Sequence, residues 1–162
     1  MATIEFARNV CGLKGAHTTE VHPKTAYPVI IPMQEQEALL KEKHYGGSMR
    51  LGAYECALTS GTISAKAYAR GRRAPIKKAP TISERHRHRY EFNNAYRKEL
   101  AAKGLVIAGI NPQRNLVEII ELRGHPFFVG TQFHPEFKSR PLAPHPLYLA
   151  FIRAAVTRSE KG

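Results

Sequence analysis

Three runs of β-forming residues follow one another closely in the second half of the chain. They read LVIAGIN at 105–111, LVEIIEL at 116–122 and PFFVGTQF at 126–133. Each run is bounded by turn-forming residues, so each predicts a strand, and only short turns join them. A helical pattern follows at about 146–158. Because strands and helices are interspersed, the chain is predicted to fold as an α/β sandwich.

The remaining segments fit the same class of fold. Periodicity predicts further helices over 2–10, 59–69 and 95–103, further strands over 27–33, 46–58 and 81–92, and a weak helix or turn over 34–44. The first helix is already under way at residue 2, and no Ser, Thr, Asp or Asn precedes it as an N-cap. Asn93 or Asn94 can cap the helix at 95–103, which Gly104 ends.

The strand at 46–58 shows an alternating pattern. Apolar Met49, Leu51 and Ala53 alternate with Arg50 and Tyr54. This alternation suits a strand that follows the glycine turn at 46–47.

Composition bounds the class of protein. At 162 residues the chain is the size of one domain, and its 25 Lys and Arg against 13 Asp and Glu give a net charge of +12. That excess favours anionic partners, or membership of a larger protein whose other part is acidic. No apolar run is long enough to span a bilayer, and the N-terminus does not resemble a signal peptide. Cys11 and Cys56 form no disulfide framework, so a reducing, cytoplasmic location is expected.

The segment GTQFHPEF at 130–137 carries the strongest candidate chemistry. His134 and Glu136 lie two residues apart, a spacing at which a carboxylate can orient an imidazole that takes up a proton. One alternative is an iron site of two histidines and one carboxylate, with His145 as the second histidine. Another is a histidine packed at a strand end beside a surface glutamate. A catalytic triad would also need a nucleophile, and neither Cys11, near a helix C-terminus, nor Cys56, within a strand, suits that role.

Arginines dominate the strand at 81–92. Arg85, Arg87 and Arg89 are expected on one face, with His86 and His88 on the other. Such a row can bind a phosphate or a substrate carboxylate, or pair with Glu91 of its own face, and the alternative is a solvated edge strand. The basic loop at 70–80 has no aromatic residue, so a solvated loop is favoured over a nucleic-acid platform.

Four segments carry a family resemblance. They are GTQFHPEFKSRPLAPHPL, ISERHRHRYEFNN, GGSMRLGAYEC and IEFARNVCGLKGAHTTE, and in order and spacing they resemble the C-terminal class I glutamine amidotransferase domain of the CTP synthases. The resemblance covers about residues 1–155. It implies a flavodoxin-like α/β sandwich with a mixed central sheet flanked by helices, incomplete here, with residues 1–158 as the partial domain and 159–162 as a tail.

The resemblance also implies roles for individual residues. His134 and Glu136 would be the base and orienting acid of a Cys–His–Glu triad that hydrolyses glutamine to ammonia. Arg89 would bind the α-carboxylate of glutamine and Glu20 its α-ammonium group. No metal site is implied in this chain.

In the family the nucleophilic cysteine precedes the helix that corresponds to residues 2–10, so the resemblance implies that this chain is a piece without it, inactive alone. Mg-ATP and UTP would be bound only by the absent synthase domain, which aminates UTP to CTP, and the full-length protein is expected to be a homotetramer. Alternatives are a nonenzymatic remnant or regulatory subunit that binds glutamine, and a basic nucleic-acid-binding module. Neither nucleic acid nor membrane is the expected partner.

Overall fold

The computed structural model describes residues 1–33, 49–70 and 80–160. The chain divides into two compact units: Met1–Leu51 with Arg87–Leu105, and Gly52–His86 with Val106–Gly162. The predicted weak helix or turn at 34–44 and the basic stretch 71–79 lie outside the described residues.

In chain order the elements of the described residues are α1 (Ala2–Asn9), β1 (His17–Thr18), β2 (Pro28–Pro32), β3 (Arg50–Leu58), α2 (Ile63–Ala69), β4 (Thr81–His88), β5 (Tyr90–Phe92), α3 (Arg97–Ala102), β6 (Leu105–Asn111), β7 (Leu116–Leu122), β8 (Val129–Thr131) and α4 (Pro146–Ser159). One-turn 3-10 helices precede α3, at Asn94–Tyr96, and follow β8, at Pro135–Phe137. The predicted α/β composition is confirmed.

The first unit is built on a three-stranded mixed sheet in the order β1-β2-β5. β1 runs parallel to β2, and β2 runs antiparallel to β5, with Ile30 opposite Phe92. Helix α1 begins directly after Met1 without a side-chain cap, as predicted. Its Ile4 and Ala7, three positions apart, pack with Val29 of β2 in the buried cluster of this unit.

The second unit is built on a five-stranded sheet in the order β4-β3-β6-β7-β8. The bounds of β6 and β7 are those predicted, and the turn between them holds Asn115 at φ +54°, a conformation that asparagine tolerates better than most residues. The buried cluster joins the sheet to both helices of the unit through Cys56, Ile119, Ala65 and Leu147, among others.

Side chains satisfy the first turn of α2. Thr62 Oγ1 accepts a hydrogen bond from the Ala65 N–H at 3.1 Å. The buried carboxylate of Glu121 accepts from the N–H groups of Ile63 and Ser64, at 2.9 and 2.7 Å. A carboxylate at this end of a helix is favoured by the helix dipole as well as by these bonds.

On β3, Arg50 is buried whereas Leu51 is 59% exposed, because Cys56 and Leu58 lie on the Arg50 face and their burial decides which face meets the core.

Two strand predictions need correction. The strand predicted at 81–92 is divided at Arg89 into β4 and β5. Glu91 therefore belongs to β5, opposite Ile31, and not to the same strand as the exposed Arg85 and Arg87. The third strand of the 105–133 region, β8, is shorter than predicted.

No helix in the described ranges has the length and apolar character to span a membrane.

Candidate active site

A short turn after β8 presents the candidate catalytic pair. Phe133 is buried in the core, which fixes the chain immediately before His134. His134 takes the N-cap position of the turn Pro135–Phe137, and its backbone N–H donates to the Arg85 carbonyl at 2.9 Å. Proline suits the first position of a helical turn because its φ is already helical and it needs no N–H partner. The turn is thus anchored to β4 at its first residue.

The pair itself is formed as predicted. Nδ1 of His134 lies 2.6 Å from Oε1 of Glu136, and the imidazole stacks on the Phe137 ring at 4.9 Å between centroids. The two side chains are 38% and 53% exposed, so both are accessible to a ligand. The Tyr148 hydroxyl of α4 donates a longer hydrogen bond, 3.5 Å, to the other carboxylate oxygen.

The surroundings favour a charged carboxylate. Desolvation by burial works to raise the pKa of Glu136, but hydrogen bonds from its own backbone N–H and from His134 outweigh it and lower the pKa below its ordinary value. A carboxylate that accepts from Nδ1–H leaves the lone pair of the neutral imidazole on Nε2. The arrangement therefore supplies an accessible base with an oriented ring.

A buried polar network lies behind the turn, and sequence reasoning missed it. Glu84 of β4 and His145, at the N-cap of α4, are 2% and 3% exposed. Nε2 of His145 lies 3.3 Å from Glu84 Oε1, and the Tyr68 hydroxyl donates to the same oxygen at 2.9 Å. Because the Leu147 N–H donates to Nδ1 of His145, the neutral ring carries its proton on Nε2. That N–H donates a hydrogen bond to Glu84.

The network pairs a charged carboxylate, Glu84, with a neutral hydroxyl, Tyr68. Desolvation by burial works to raise the pKa of Glu84, but the hydrogen bonds from His145 and Tyr68 outweigh it and lower the pKa. Burial and then the Glu84 charge raise the pKa of Tyr68 well above its usual range.

The same network holds the far end of the catalytic turn. Nζ of Lys138 lies 3.5 Å from Glu84 Oε1 and donates to the Ser83 carbonyl at 2.5 Å. The His145 N–H donates to Ser139 Oγ at 3.1 Å. Together with the His134 bond to Arg85, these contacts attach both ends of the turn to three consecutive residues of β4.

One sequence signal pointed to Glu84. It shares the inward face of β4 with Ile82 and His86, which are both buried, so strand alternation alone places an acid inside the protein. His145, proposed in one alternative as an iron ligand, contacts Glu84 and Tyr68 instead. Among the described residues, its ligand atoms form no metal-binding group with those of His134 and Glu136.

Glu20 and Arg89 both belong to the first unit. Glu20 is exposed just beyond β1, where its N–H donates to Thr18 Oγ1 at 3.2 Å. Arg89 is half-buried in the bend between β4 and β5, and its carbonyl accepts from the Met33 N–H at 3.1 Å. Their joint role in binding glutamine stays a prediction.

Neither cysteine has the surroundings of an activated thiol. Cys56 is fully buried in the core cluster of the second unit. Cys11 follows α1, and desolvation by burial, then the charge of Glu99, raise its pKa. An activated nucleophilic thiol has a lowered pKa and is accessible, so these two are poor candidates.

Comparisons with known proteins agree with this architecture. Residues 1–154 match the family described as Glutamine amidotransferase class-I. The chain is 53% identical to a CTP synthase of Geobacter sulfurreducens over 99% of its own length and 28% of that protein. It is 58% identical to a CTP synthase of Caldanaerobacter subterraneus subsp. tengcongensis, over 94% of the chain and 26% of that protein.

A solved structure matches as well. The glutaminase domain of Trypanosoma brucei CTPS with bound acivicin superposes with a TM-score of 0.83 at 36% identity, over 96% of this chain and 56% of that one. The predicted fold class is thereby confirmed, while the chain spans little more than a quarter of the length of the curated relatives it matches. From residue 1 to residue 154, the chain belongs to the class I glutamine amidotransferase family.

Proposed function

We propose that this chain is the base-bearing part of a glutaminase site that supplies ammonia to a CTP synthase. The observation that carries the proposal is the 2.6 Å contact between His134 Nδ1 and Glu136 Oε1, on an accessible turn in a chain of the amidotransferase family. The identity to CTP synthases supports the choice among amidotransferase activities.

In the proposed reaction a cysteine thiolate attacks the side-chain amide carbon of glutamine. His134 has taken up the proton of the thiol on Nε2 and donates it to the leaving amine. Ammonia then departs and a thioester remains. His134 then takes a proton from water, which attacks the thioester; glutamate and the cysteine thiolate are released, and His134 returns the proton to that thiolate. Glu136 fixes the ring through Nδ1 and stabilises the imidazolium, as the acid of a triad does.

The nucleophile is not assigned to either cysteine of this chain. Burial of Cys56 and the raised pKa of Cys11 argue against both. We assign the nucleophile to a further segment of the type that the longer relatives contain, and we expect the 162-residue chain by itself to release no ammonia from glutamine.

Glu20 and Arg89 are proposed to bind the amino-acid end of glutamine. A zwitterion needs an anion-binding and a cation-binding group, and the planar guanidinium of Arg89 offers a carboxylate two parallel hydrogen bonds. The acivicin bound to the Trypanosoma brucei glutaminase domain shows that a relative accepts a small ligand.

The rest of the reaction is assigned to a synthase part outside this chain. That part would bind UTP, ATP and Mg²⁺ and would consume the ammonia to form CTP. No residue of this chain is assigned a role in those steps. A homotetrameric, cytoplasmic protein is the corresponding proposal for the assembled enzyme.

The test joins this chain to the N-terminal part of a longer relative. A chimera would carry the N-terminal part of the Geobacter sulfurreducens CTP synthase, ending at the residue before the one aligned with Met1. Residues 1–162 of this chain would follow it. We expect it to release ammonia from glutamine, whereas the separate chain does not. Arg89→Lys should raise KM for glutamine much more than it lowers kcat.

The same experiment distinguishes the proposed enzyme from the main alternative, a nonenzymatic subunit. A nonenzymatic glutamine-binding subunit would bind glutamine in calorimetry, yet its chimera would release no ammonia. That outcome, in a chimera that is folded by circular dichroism, would reject the enzymatic role of this chain.

A further inference from the structure

A groove opens between α2 and α4 in the second unit, on residues that the proposed glutaminase reaction does not use. Its volume is ≈ 510 Å³, within the usual range of binding sites. Small apolar side chains such as Ala67 and Ala154 line it, and the Phe127 ring forms part of its wall. That ring packs against Phe151 of α4 at 5.6 Å between centroids.

Among the residues that the structure describes, every charged side chain around the groove is positive. These are Lys66, Arg70, Arg153 and Arg158, all exposed, and no described acidic residue lines the groove. None of the four makes an ion pair with any residue that the structure describes. Four unneutralised cations beside an apolar wall predict a ligand that is both anionic and apolar.

The spacing of the cations favours an extended anionic ligand. Lys66 of α2 and Arg70, which directly follows the helix, lie about one turn apart, and Arg153 and Arg158 lie about 7.5 Å apart along the axis of α4. The charges are therefore spread along the two walls instead of converging on one point.

The backbone argues against a phosphate site. Phosphates are commonly bound by the free N–H groups at a helix N-terminus. At α2, however, Glu121 already accepts from the N–H groups of Ile63 and Ser64, and Thr62 accepts from that of Ala65. A phosphate in the groove would meet flexible cationic side chains without a backbone cradle.

We propose that this groove docks an acidic amphipathic segment of a partner protein. Its carboxylates would pair with the cations of α2 and α4, and its apolar side chains would lie on Phe127 and Ala154. The interaction is independent of the glutaminase site, because no residue of the His134 turn lines the groove.

The test uses the 162-residue protein and a fluorescein-labelled 14-residue peptide with Leu at helical spacing and Glu at the other positions. Anisotropy at 0.1 M NaCl should show saturable binding, and the peptide with Gln in place of Glu should bind at least about tenfold more weakly. Charge reversal by Arg70→Glu with Arg153→Glu, or by Lys66→Glu with Arg158→Glu, should weaken binding by about tenfold.

A matched control separates the groove from the overall charge. Lys24→Glu with Lys98→Glu makes the same change in net charge on exposed residues of the first unit and should alter the dissociation constant less than twofold. Equal weakening by the control pair, or no saturable binding, would overturn the proposal. Competition by ATP or inorganic triphosphate at micromolar concentration, abolished by the groove variants, would replace it with a polyphosphate site.

Discussion

Nδ1 of His134 and Oε1 of Glu136 lie 2.6 Å apart across a single proline, within one 3-10 turn. The contact is local in sequence, so it depends on the turn and its anchors more than on distant parts of the protein. The orienting carboxylate should therefore hold the imidazole whether or not a nucleophile and glutamine are present.

The tautomer of His134 is the first prediction. In the wild-type chain at pH 8, ¹⁵N–¹H correlation spectra should show the neutral ring with its proton on Nδ1, because Glu136 accepts there. Glu136→Gln replaces a charged acceptor and should reduce the population of that tautomer. A wild-type ring protonated on Nε2 would contradict the assignment of Nε2 as the base.

Removing the charge of Glu84 should destabilise the protein. Glu84→Gln weakens the buried bonds to His145 and Tyr68, and the expected loss in the free energy of unfolding is about 1–3 kcal/mol. The matched control, Glu55→Gln, changes an exposed glutamate of β3 and should cost less than about 0.5 kcal/mol. Urea denaturation measures both variants, and equal effects would show that the network contributes nothing specific.

The pH dependence of stability follows from the lowered pKa of Glu84. The unfolded chain binds the proton more readily than the folded chain, so the contribution of Glu84 is complete above the unfolded value of about 4.3 and is lost as pH falls through the lower folded value. Between pH 6 and pH 3 the wild type should therefore lose more stability than Glu84→Gln. Parallel pH profiles of the two proteins would contradict the lowered pKa.

The close approach of β3 and β6 gives a packing prediction. A Cβ on Gly109 would lie 2.6 Å from Cys56 Sγ and 2.9 Å from Ile119 Cγ1. Gly109→Ala should lower the free energy of unfolding by about 1–3 kcal/mol through overpacking. Adding Cys56→Ala removes one of the two clashes, so the double variant should lose less stability than the sum of the single variants.

The sequence was sufficient for features with local causes. The bounds of β6 and β7 follow from dense β-forming runs between turn residues, and the start of α4 from the proline at its first position. The His134–Glu136 pair lies within three residues, so its formation needed no long-range information.

Long-range packing explains what sequence reasoning missed. The alternation of β3 alone does not give its buried face, since Leu51 is more apolar than Arg50, yet Cys56 and Leu58 on the Arg50 face decide which face meets the core. The partner of Glu84 lies 61 positions away at the start of α4, a distance that strand alternation cannot bridge. The division at Arg89 likewise depends on which neighbour each half pairs with, since β5 pairs with β2 of the other sheet.

The rate of ammonia release by the chimera tests the central claim most directly. His134→Gln should lower kcat by about 10²–10⁴-fold, because a positioned general base contributes that much. His125→Gln, at an exposed histidine away from the turn, should leave kcat within twofold. If a folded His134→Gln chimera releases ammonia at the wild-type rate, His134 is not the catalytic base and the proposed function of the turn is wrong.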